Sequence, residues 1–253
     1  MTKLTLLCLP YSGASAMVYS RWRRKLPDWL QLQPVELPGR GARFGEALHT
    51  DMRELAQQLA REHKQSLHTP YALFGHSLGA LLACELAHAL RALGCPEPVA
   101  LFASGTAAPS MRADYDRAFA EPKTDAQLIE QLRSLNGTSE EVLGNKELMS
   151  LTLPILRADF LLCGGFRPQV RPLLNCPVHV LGGTNDKATT AQLIGWSQET
   201  HGSFSVDMLA GGHFFIHEHE AKVIRMIKDH LDVHHRRHAR ALSLDNAALA
   251  SSF

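Results

Sequence analysis

Six short apolar runs recur along the chain and alternate with segments of helical periodicity. Runs of this length, bounded by glycine, proline and polar residues, are typical of buried strands. They are LTLLCL (4–9), LQPVEL (32–37), YALF (71–74), PVALFAS (98–104), PVHVLGG (177–183) and FSVDML (204–209). Between the second and third runs, apolar residues follow the spacing of one helix face, at Met52, Leu55, Ala56, Leu59 and Ala60. This alternation predicts the α/β class, a mainly parallel central sheet flanked by helices, with functional residues at the carboxyl ends of the strands.

The alternation breaks between residues 111 and 171. Thr124 and Thr138 each begin a capping box, so a short helix is predicted to start at each. A longer apolar helical stretch follows, and Pro154 within it is expected to kink or split the helix. A helical insertion between strands is well placed to form a lid over a site; ordinary packing helices are the alternative.

The sequence therefore predicts four segments. Residues 1–110 and 172–232 form the two parts of the core, residues 111–171 the helical lid insertion, and residues 233–253 a C-terminal tail. Four closely spaced histidines mark the start of the tail: His230, His234, His235 and His238. No carboxylate or cysteine completes a metal site there at suitable spacing. We interpret the segment as a basic helix end that frays into a flexible terminus.

Composition and charge exclude several classes of function. The chain has 253 residues, 45% of them hydrophobic, and a formal net charge of +1, which gives no indication of a nucleic-acid partner. Five cysteines without a C-x-x-C pair indicate buried thiols in a reducing cytoplasm. The first apolar run is too short for a secretion signal, and no run approaches the ~20 apolar residues of a membrane span. We expect a cytoplasmic protein without membrane attachment, monomeric by default.

The third apolar run passes directly into a second apolar stretch through the sequence GHSLG. That stretch, residues 78–93, is too long for a strand and is rich in alanine and leucine, which favour a helix. A strand that turns at once into a helix leaves little space beside its apex, and Gly75 and Gly79 provide that space. The pattern G-x-S-x-G is that of a nucleophile elbow, and it places Ser77 at the apex.

Two later residues complete a serine triad in the chain order Ser, Asp, His. A serine hydroxyl needs a base to take its proton, and the base needs a carboxylate that fixes its tautomer. Asp186 comes just after the fifth apolar run, and His213 comes just after the sixth. We predict that Ser77 is the nucleophile, His213 the base and Asp186 its partner.

Other histidines and aspartates fit these roles less well. His76 adjoins Ser77 and is expected to shape the corner, and Asp207 lies inside a predicted strand. Asp159 lies inside the insertion rather than after a strand. Several histidines lie in helical or surface contexts: His63, His68, His88 and His201.

An acyl-transfer site also needs two N–H donors for the oxyanion. Leu78 directly follows the nucleophile, so its backbone N–H is the expected first donor. The loop PYSGAS after the first run carries Gly13 among small residues. We assign the second donor to the backbone N–H of Ser12; a plain tight turn is the alternative.

Together these motifs resemble the type II thioesterases, stand-alone editing enzymes that accompany nonribosomal peptide and polyketide synthases. The resemblance extends from about Leu4 to Leu231 and rests on LPYSGASA, VELPGRGARFGE, FGHSLGALLACELA, LRADFLL, VLGGTND and GGHFFI. One departure is PYSGAS, where the family more often has histidine, alanine and a second glycine.

The resemblance implies an α/β-hydrolase fold that hydrolyses acyl or aminoacyl thioesters on the phosphopantetheine arm of an acyl or peptidyl carrier protein. It implies no metal and no bound cofactor, because the pantetheine belongs to the substrate. The segment RWRRKLPDW places four basic residues around Trp22. It is interpreted either as a solvated helix face with Trp22 packed inward or as a docking surface for an acidic carrier protein.

Three other functions remain open from the sequence. A general carboxylesterase would use the same triad without a carrier protein. An acyltransferase would pass the acyl group to an alcohol or amine instead of water. A non-catalytic hydrolase fold would only bind, and the presence of Ser77, Asp186 and His213 disfavours it.

Overall fold

Six parallel strands form one sheet in the order β2-β1-β3-β4-β5-β6. The computed structural model describes residues 3–67, 69–112, 121–135 and 137–250. The strands are β1 (Leu4–Leu9), β2 (Leu30–Pro34), β3 (Tyr71–His76), β4 (Ala100–Ser104), β5 (Val178–Gly183) and β6 (Phe204–Leu209). Every predicted run overlaps a strand, so the parallel α/β class is confirmed.

The position of β2 differs from the prediction, which placed it at residues 32–37. It begins at Leu30, opposite Leu4 of β1, and ends at Pro34. As an edge strand it alternates buried leucines with more exposed glutamines. Because only alternate residues of the strand are apolar, a search for continuous apolar runs does not find its true bounds.

Helices flank or cover this sheet. Those of the described residues are α1 (Met52–His63), α2 (Leu78–Ala92), α3 (Asp125–Ser134), α4 (Glu140–Gly144), α5 (Lys146–Gly165), α6 (Thr190–Ile194), α7 (Phe215–Glu218) and α8 (Glu220–Ala250). A 3₁₀ helix, Ala16–Lys25, follows the loop after β1. The five apolar residues predicted to share one face of α1 are its buried residues.

Both faces of the sheet are buried, as expected for a parallel sheet. On one face, strand residues such as Leu73 and Val180 pack with α1 and α2. On the other face, Phe74 and Phe102 pack with Trp22 of the 3₁₀ helix and with the apolar side of α8. The sheet is therefore held between two helical layers, with its carboxyl edge left for the connecting loops.

The described part of the insertion contains α3, α4 and α5, which share a small apolar cluster of their own. The capping box at Thr124 is confirmed, but α4 is capped by Ser139 rather than by Thr138. Pro154 lies inside α5 without ending it. By length and composition α5 is the described helix that could cross a membrane, yet half of its apolar window is buried within the protein.

The C-terminal segment is helical as far as Ala250, since α8 continues through the region for which the sequence predicts a tail. Residues 237–250 are rich in alanine, leucine and arginine, which favour a helix. The helix therefore extends further than the predicted helix end, while the flexibility of the segment stays a prediction.

Candidate active site

The site lies at two neighbouring strands, β1 and β3, whose connections to the next strand run in opposite directions across the sheet. β1 leads to β2 on one side and β3 leads to β4 on the other, so a crevice opens at their carboxyl ends. Leu9, the last residue of β1, lies opposite Gly75 of β3. The loop that carries Ser12 and the turn that carries Ser77 therefore leave the sheet side by side.

Ser77 adopts the strained conformation that a nucleophile elbow requires. Its φ is 56° and its ψ is −118°, and it is the one non-glycine residue with a positive φ in the described part of the chain. Its backbone N–H donates to the carbonyl of Ser104 at 2.7 Å. A Cβ on Gly79 would lie 2.2 Å from the carbonyl oxygen of Leu9, so α2 can approach β1 only because this residue is glycine. Strain of this kind persists where the surroundings fix it, often at functional sites.

His213 and Asp186 form a buried pair next to this turn. The His213 Nδ1 lies 3.1 Å from both carboxylate oxygens of Asp186, whose side chain is 2% exposed. Asp186 follows the end of β5 and His213 the end of β6. The two loops are joined by the Asn185 N–H, which donates to the carbonyl of Gly211 at 2.9 Å. This geometry orients the imidazole as a carboxylate partner does in a serine triad.

One cavity of about 270 Å³ is lined by all five predicted site residues: Ser12, Ser77, Leu78, Asp186 and His213. Among the described residues no hydrogen bond joins the Ser77 hydroxyl to His213. Such catalytic contacts are often long in free enzymes and tighten when substrate binds. The backbone N–H groups of Ser12 and Leu78 donate to no acceptor in the described part of the protein.

The cavity also contains side chains that the sequence analysis did not identify. They are Arg112, Gln131, Leu135, Phe160 and Cys163 from the insertion, and Gly105, Thr106 and Lys187 from the core. The sequence located the insertion as a lid, but its helical pattern does not show which face meets the site. Burial raises the pKa of the Cys163 thiol to about 11, so this thiol is protonated at neutral pH and is a weak nucleophile.

His76 has the corner-shaping position that we expected. It is fully buried, and its Nδ1 lies 2.9 Å from the Ser104 hydroxyl. Its ring centroid is 4.9 Å from that of His213. Burial, followed by the nearby His213 and His217, holds the pKa of His76 well below its usual value. His76 is therefore neutral and places no second positive charge beside His213.

Asp159, the alternative acid, is engaged elsewhere. Its carboxylate forms a bidentate ion pair with Arg40, with both N–O distances at 2.7 Å. Sequence reasoning missed this pair, although a carboxylate within an apolar helix signals a buried partner. In the part of the chain that the structure describes, no group of three His, Cys, Asp or Glu residues is placed to hold a metal ion.

The basic segment after the Ser12 loop has an inward and an outward side. Trp22 is 2% exposed and packs against the rings of Tyr19 and Phe74. The basic side chains are exposed, at Arg21, Arg23, Arg24 and Lys25. The predicted inward packing of Trp22 is confirmed, and the basic residues form an exposed face.

Comparison with known proteins identifies the family. Residues 4–231 match the thioesterase domain family. The gramicidin S biosynthesis protein GrsT of Aneurinibacillus migulanus is 38% identical over 229 residues, which cover 89% of this chain and 88% of that protein.

Solved structures agree with this assignment. The type II thioesterase BorB from the borrelidin biosynthetic cluster is 37% identical, with a TM-score of 0.83, and the match covers 91% of this chain and 93% of that one. The RedJ thioesterase from the prodiginine pathway of Streptomyces coelicolor is 35% identical, with a TM-score of 0.84 and coverage of 90% and 91%. These likenesses confirm the predicted α/β-hydrolase fold. The chain therefore belongs to the thioesterase family, as a hydrolase of thioester bonds related to the type II thioesterases of nonribosomal peptide and polyketide pathways.

Proposed function

We propose that the protein is an editing thioesterase that removes acyl and aminoacyl groups from the phosphopantetheine arm of synthase carrier proteins. The observation that carries this proposal is the single cavity lined by Ser77, His213, Asp186 and the two predicted N–H donors. The relatives named above, which come from biosynthetic pathways of this kind, support the choice of substrate class.

The mechanism follows from the positions of these groups. His213 takes the proton of the Ser77 hydroxyl while its oxygen attacks the thioester carbonyl, and Asp186 stabilises the imidazolium that forms. The tetrahedral intermediate collapses, the C–S bond breaks, and the imidazolium returns its proton to the departing pantetheine sulfur. Water, deprotonated by His213, then attacks the Ser77 ester. The second tetrahedral intermediate breaks its bond to the Ser77 oxygen, which takes the proton back from the imidazolium, and the acid is released.

The oxyanion of both tetrahedral intermediates lies at the amino end of α2. The Leu78 N–H belongs to the first turn of this 15-residue helix, where the helix dipole favours negative charge. The Ser12 N–H is the second donor. Loss of one such donor costs about 10²- to 10³-fold in kcat. We propose that no metal or bound cofactor takes part, because these groups complete the acyl transfer.

The insertion covers the reacting groups and limits what the site accepts. Leu135, which follows the last residue of α3, and Phe160 of α5 both line the cavity that contains Ser77. A cavity of about 270 Å³ lies below the ~300 Å³ lower end of common ligand pockets, which favours short acyl groups.

The carrier protein is proposed to approach beside the Ser12 loop. Arg21, Arg23 and Arg24 are exposed there on the 3₁₀ helix that begins at Ala16, immediately after that loop. A positive surface raises the association rate of an acidic partner more than its affinity. We propose a cytoplasmic enzyme, since synthases of this kind and their carrier proteins are the partners.

The proposal is tested by comparing an acetylated carrier protein with the matching acetyl–pantetheine thioester, for the wild type and for Ser77→Ala. We expect the wild type to clear the carrier-bound group much faster, and Ser77→Ala to lose activity by about 10³-fold or more. Equal rates on both substrates would indicate a general esterase. Transfer to an added alcohol or amine in preference to water would indicate an acyltransferase.

A further inference from the structure

A buried ion pair connects the lid insertion to the loop after β2. Asp159 of α5 is 0% exposed and Arg40 is 4% exposed. Arg40 reaches the carboxylate with both Nη atoms at 2.7 Å. Replacing such a pair by apolar residues is often neutral or stabilising, so stability alone is a weak reason for its presence.

The pair holds the backbone of the Ser12 loop. The Gly13 N–H donates to the Asp159 carboxylate at 2.8 Å, and Arg40 Nη1 donates to the Ala14 carbonyl at 3.4 Å. Gly13 has a φ of +79°, and this conformation places its N–H on Asp159. The Gly13 N–H is therefore occupied, while the adjacent Ser12 N–H, which lines the cavity, has no acceptor among the described residues.

Other side chains on the same face of α5 contact the same loop. Leu156 lies against Gly13, where a Cβ would come within 2.8 Å of the Leu156 Cδ2. Cys163 lines the same cavity as Ser12. Residues 156, 159 and 163 are spaced i, i+3 and i+7, so one stripe of the lid helix is seated on the loop.

We propose that Asp159 and Arg40 are positioning residues for the oxyanion hole. Their ion pair fixes the Ser12 N–H relative to Ser77, and it couples the placement of that donor to the seating of the lid helix on the loop. The inference rests on the proposed function, because it assumes that Ser12 donates to the oxyanion.

The test compares Asp159→Asn with the matched control Glu85→Gln. Glu85 forms a second buried, bidentate pair with Arg171, at 2.8 Å for one of its bonds, and neither residue lines the catalytic cavity. Both variants are assayed at a temperature at which circular dichroism shows each to be folded. We expect Asp159→Asn to lower kcat by about 10- to 100-fold, with KM changed by less than about threefold and an unchanged pH profile, because a small misplacement of one donor weakens transition-state binding. Glu85→Gln is expected to keep the wild-type kcat.

A boronic acid that forms a tetrahedral adduct on Ser77 provides a second readout. Its affinity should fall in Asp159→Asn by the same factor as kcat/KM, because it reports transition-state binding rather than substrate binding. If Asp159→Asn does not fold, Arg40→Lys provides the test, since it keeps the buried positive charge and loses the bidentate contact with Asp159. We expect Arg40→Lys to lower kcat by about tenfold.

The inference would be overturned if a folded Asp159→Asn variant kept the wild-type kcat and the wild-type affinity for the boronic acid. If Asp159→Asn does not fold, the same result in Arg40→Lys would overturn it. Equal losses of kcat in Asp159→Asn and Glu85→Gln would also overturn it, since the pair would then act through stability only. Failure of the proposed function is recognised separately, by a Ser77→Ala variant that keeps its activity.

Discussion

Substitution of Gly79 by alanine tests how tightly the nucleophile elbow is built. The new Cβ would lie 2.2 Å from the carbonyl oxygen of Leu9 and 2.7 Å from that of Pro10. Ordinary contacts begin at 3.4 Å, so the first turn of α2 must withdraw by about 1 Å from a fully buried strand. Overpacking of this kind costs about 3 kcal/mol at the upper end of its usual range. For a chain of this size, that corresponds to a fall in Tm of roughly 6 to 12 °C.

The same displacement moves the Leu78 N–H, so hydrolysis of an acyl–pantetheine thioester should fall by about 100-fold. Scanning calorimetry measures the first effect and steady-state kinetics below the transition measure the second. Gly144→Ala is the matched control, because Gly144 ends α4 with no heavy atom within 4 Å of its added Cβ. The reasoning would be refuted if Gly79→Ala melted within about 2 °C of the wild type and kept its activity.

Three further predictions concern the triad partner, pH and the basic face. Asp186→Asn should lower kcat by about 10⁴-fold with an unchanged circular dichroism spectrum, and a loss below tenfold would show that another group orients the base. Burial, followed by neighbouring imidazoles, lowers the pKa of His179 from 6.5 to about 4, so the unfolded chain binds more protons between these values and stability falls as the pH drops through that window. His179→Gln should therefore reduce the loss of unfolding free energy between pH 7 and pH 5 by about 1 kcal/mol, a value that allows for solvent screening, as measured by urea unfolding. The control is His201→Gln, because His201 is exposed. An equal pH dependence of the unfolding free energy in both variants would contradict the assignment. Arg23→Glu with Arg24→Glu should lower kcat/KM for an acylated carrier protein several-fold at low salt, with little effect on the free pantetheine thioester, and unchanged carrier kinetics would disprove docking at this face.

The strands, and the meeting of Ser77, Asp186 and His213 at one cavity, could be predicted because the signals that specify them are local. β1 and β6 begin and end where the apolar runs do, since each run is bounded by polar residues or turns. The elbow follows from two glycines on either side of Ser77, and chain order then selects Asp186 and His213 at the ends of later strands.

The lid could be predicted as a segment but not in detail. Thr138 and Ser139 are both good N-caps, and local sequence does not choose between them. The structure uses Ser139, whose helix buries Leu143 in the insertion's own apolar cluster. Which lid side chains enter the cavity likewise depends on how the insertion packs on the core.

The contact between Arg40 and Asp159 could not be read from local pattern. The two residues are 119 positions apart, and periodicity reports nothing about such a pair. The available signal was energetic, because an aspartate in an apolar helix requires a buried partner. Long-range polar contacts of this kind become visible only when the fold is known.

The most direct test of the central claim is to locate the covalent acyl group. The wild type is mixed with an acylated carrier protein and quenched with acid within the first turnover, and the acylated peptide is then identified by mass spectrometry. Our account predicts the acyl group on Ser77, and its absence from the Ser77→Ala variant. An acyl group on Cys163, whose thiol also lines the cavity, or turnover without any acylated peptide, would contradict it.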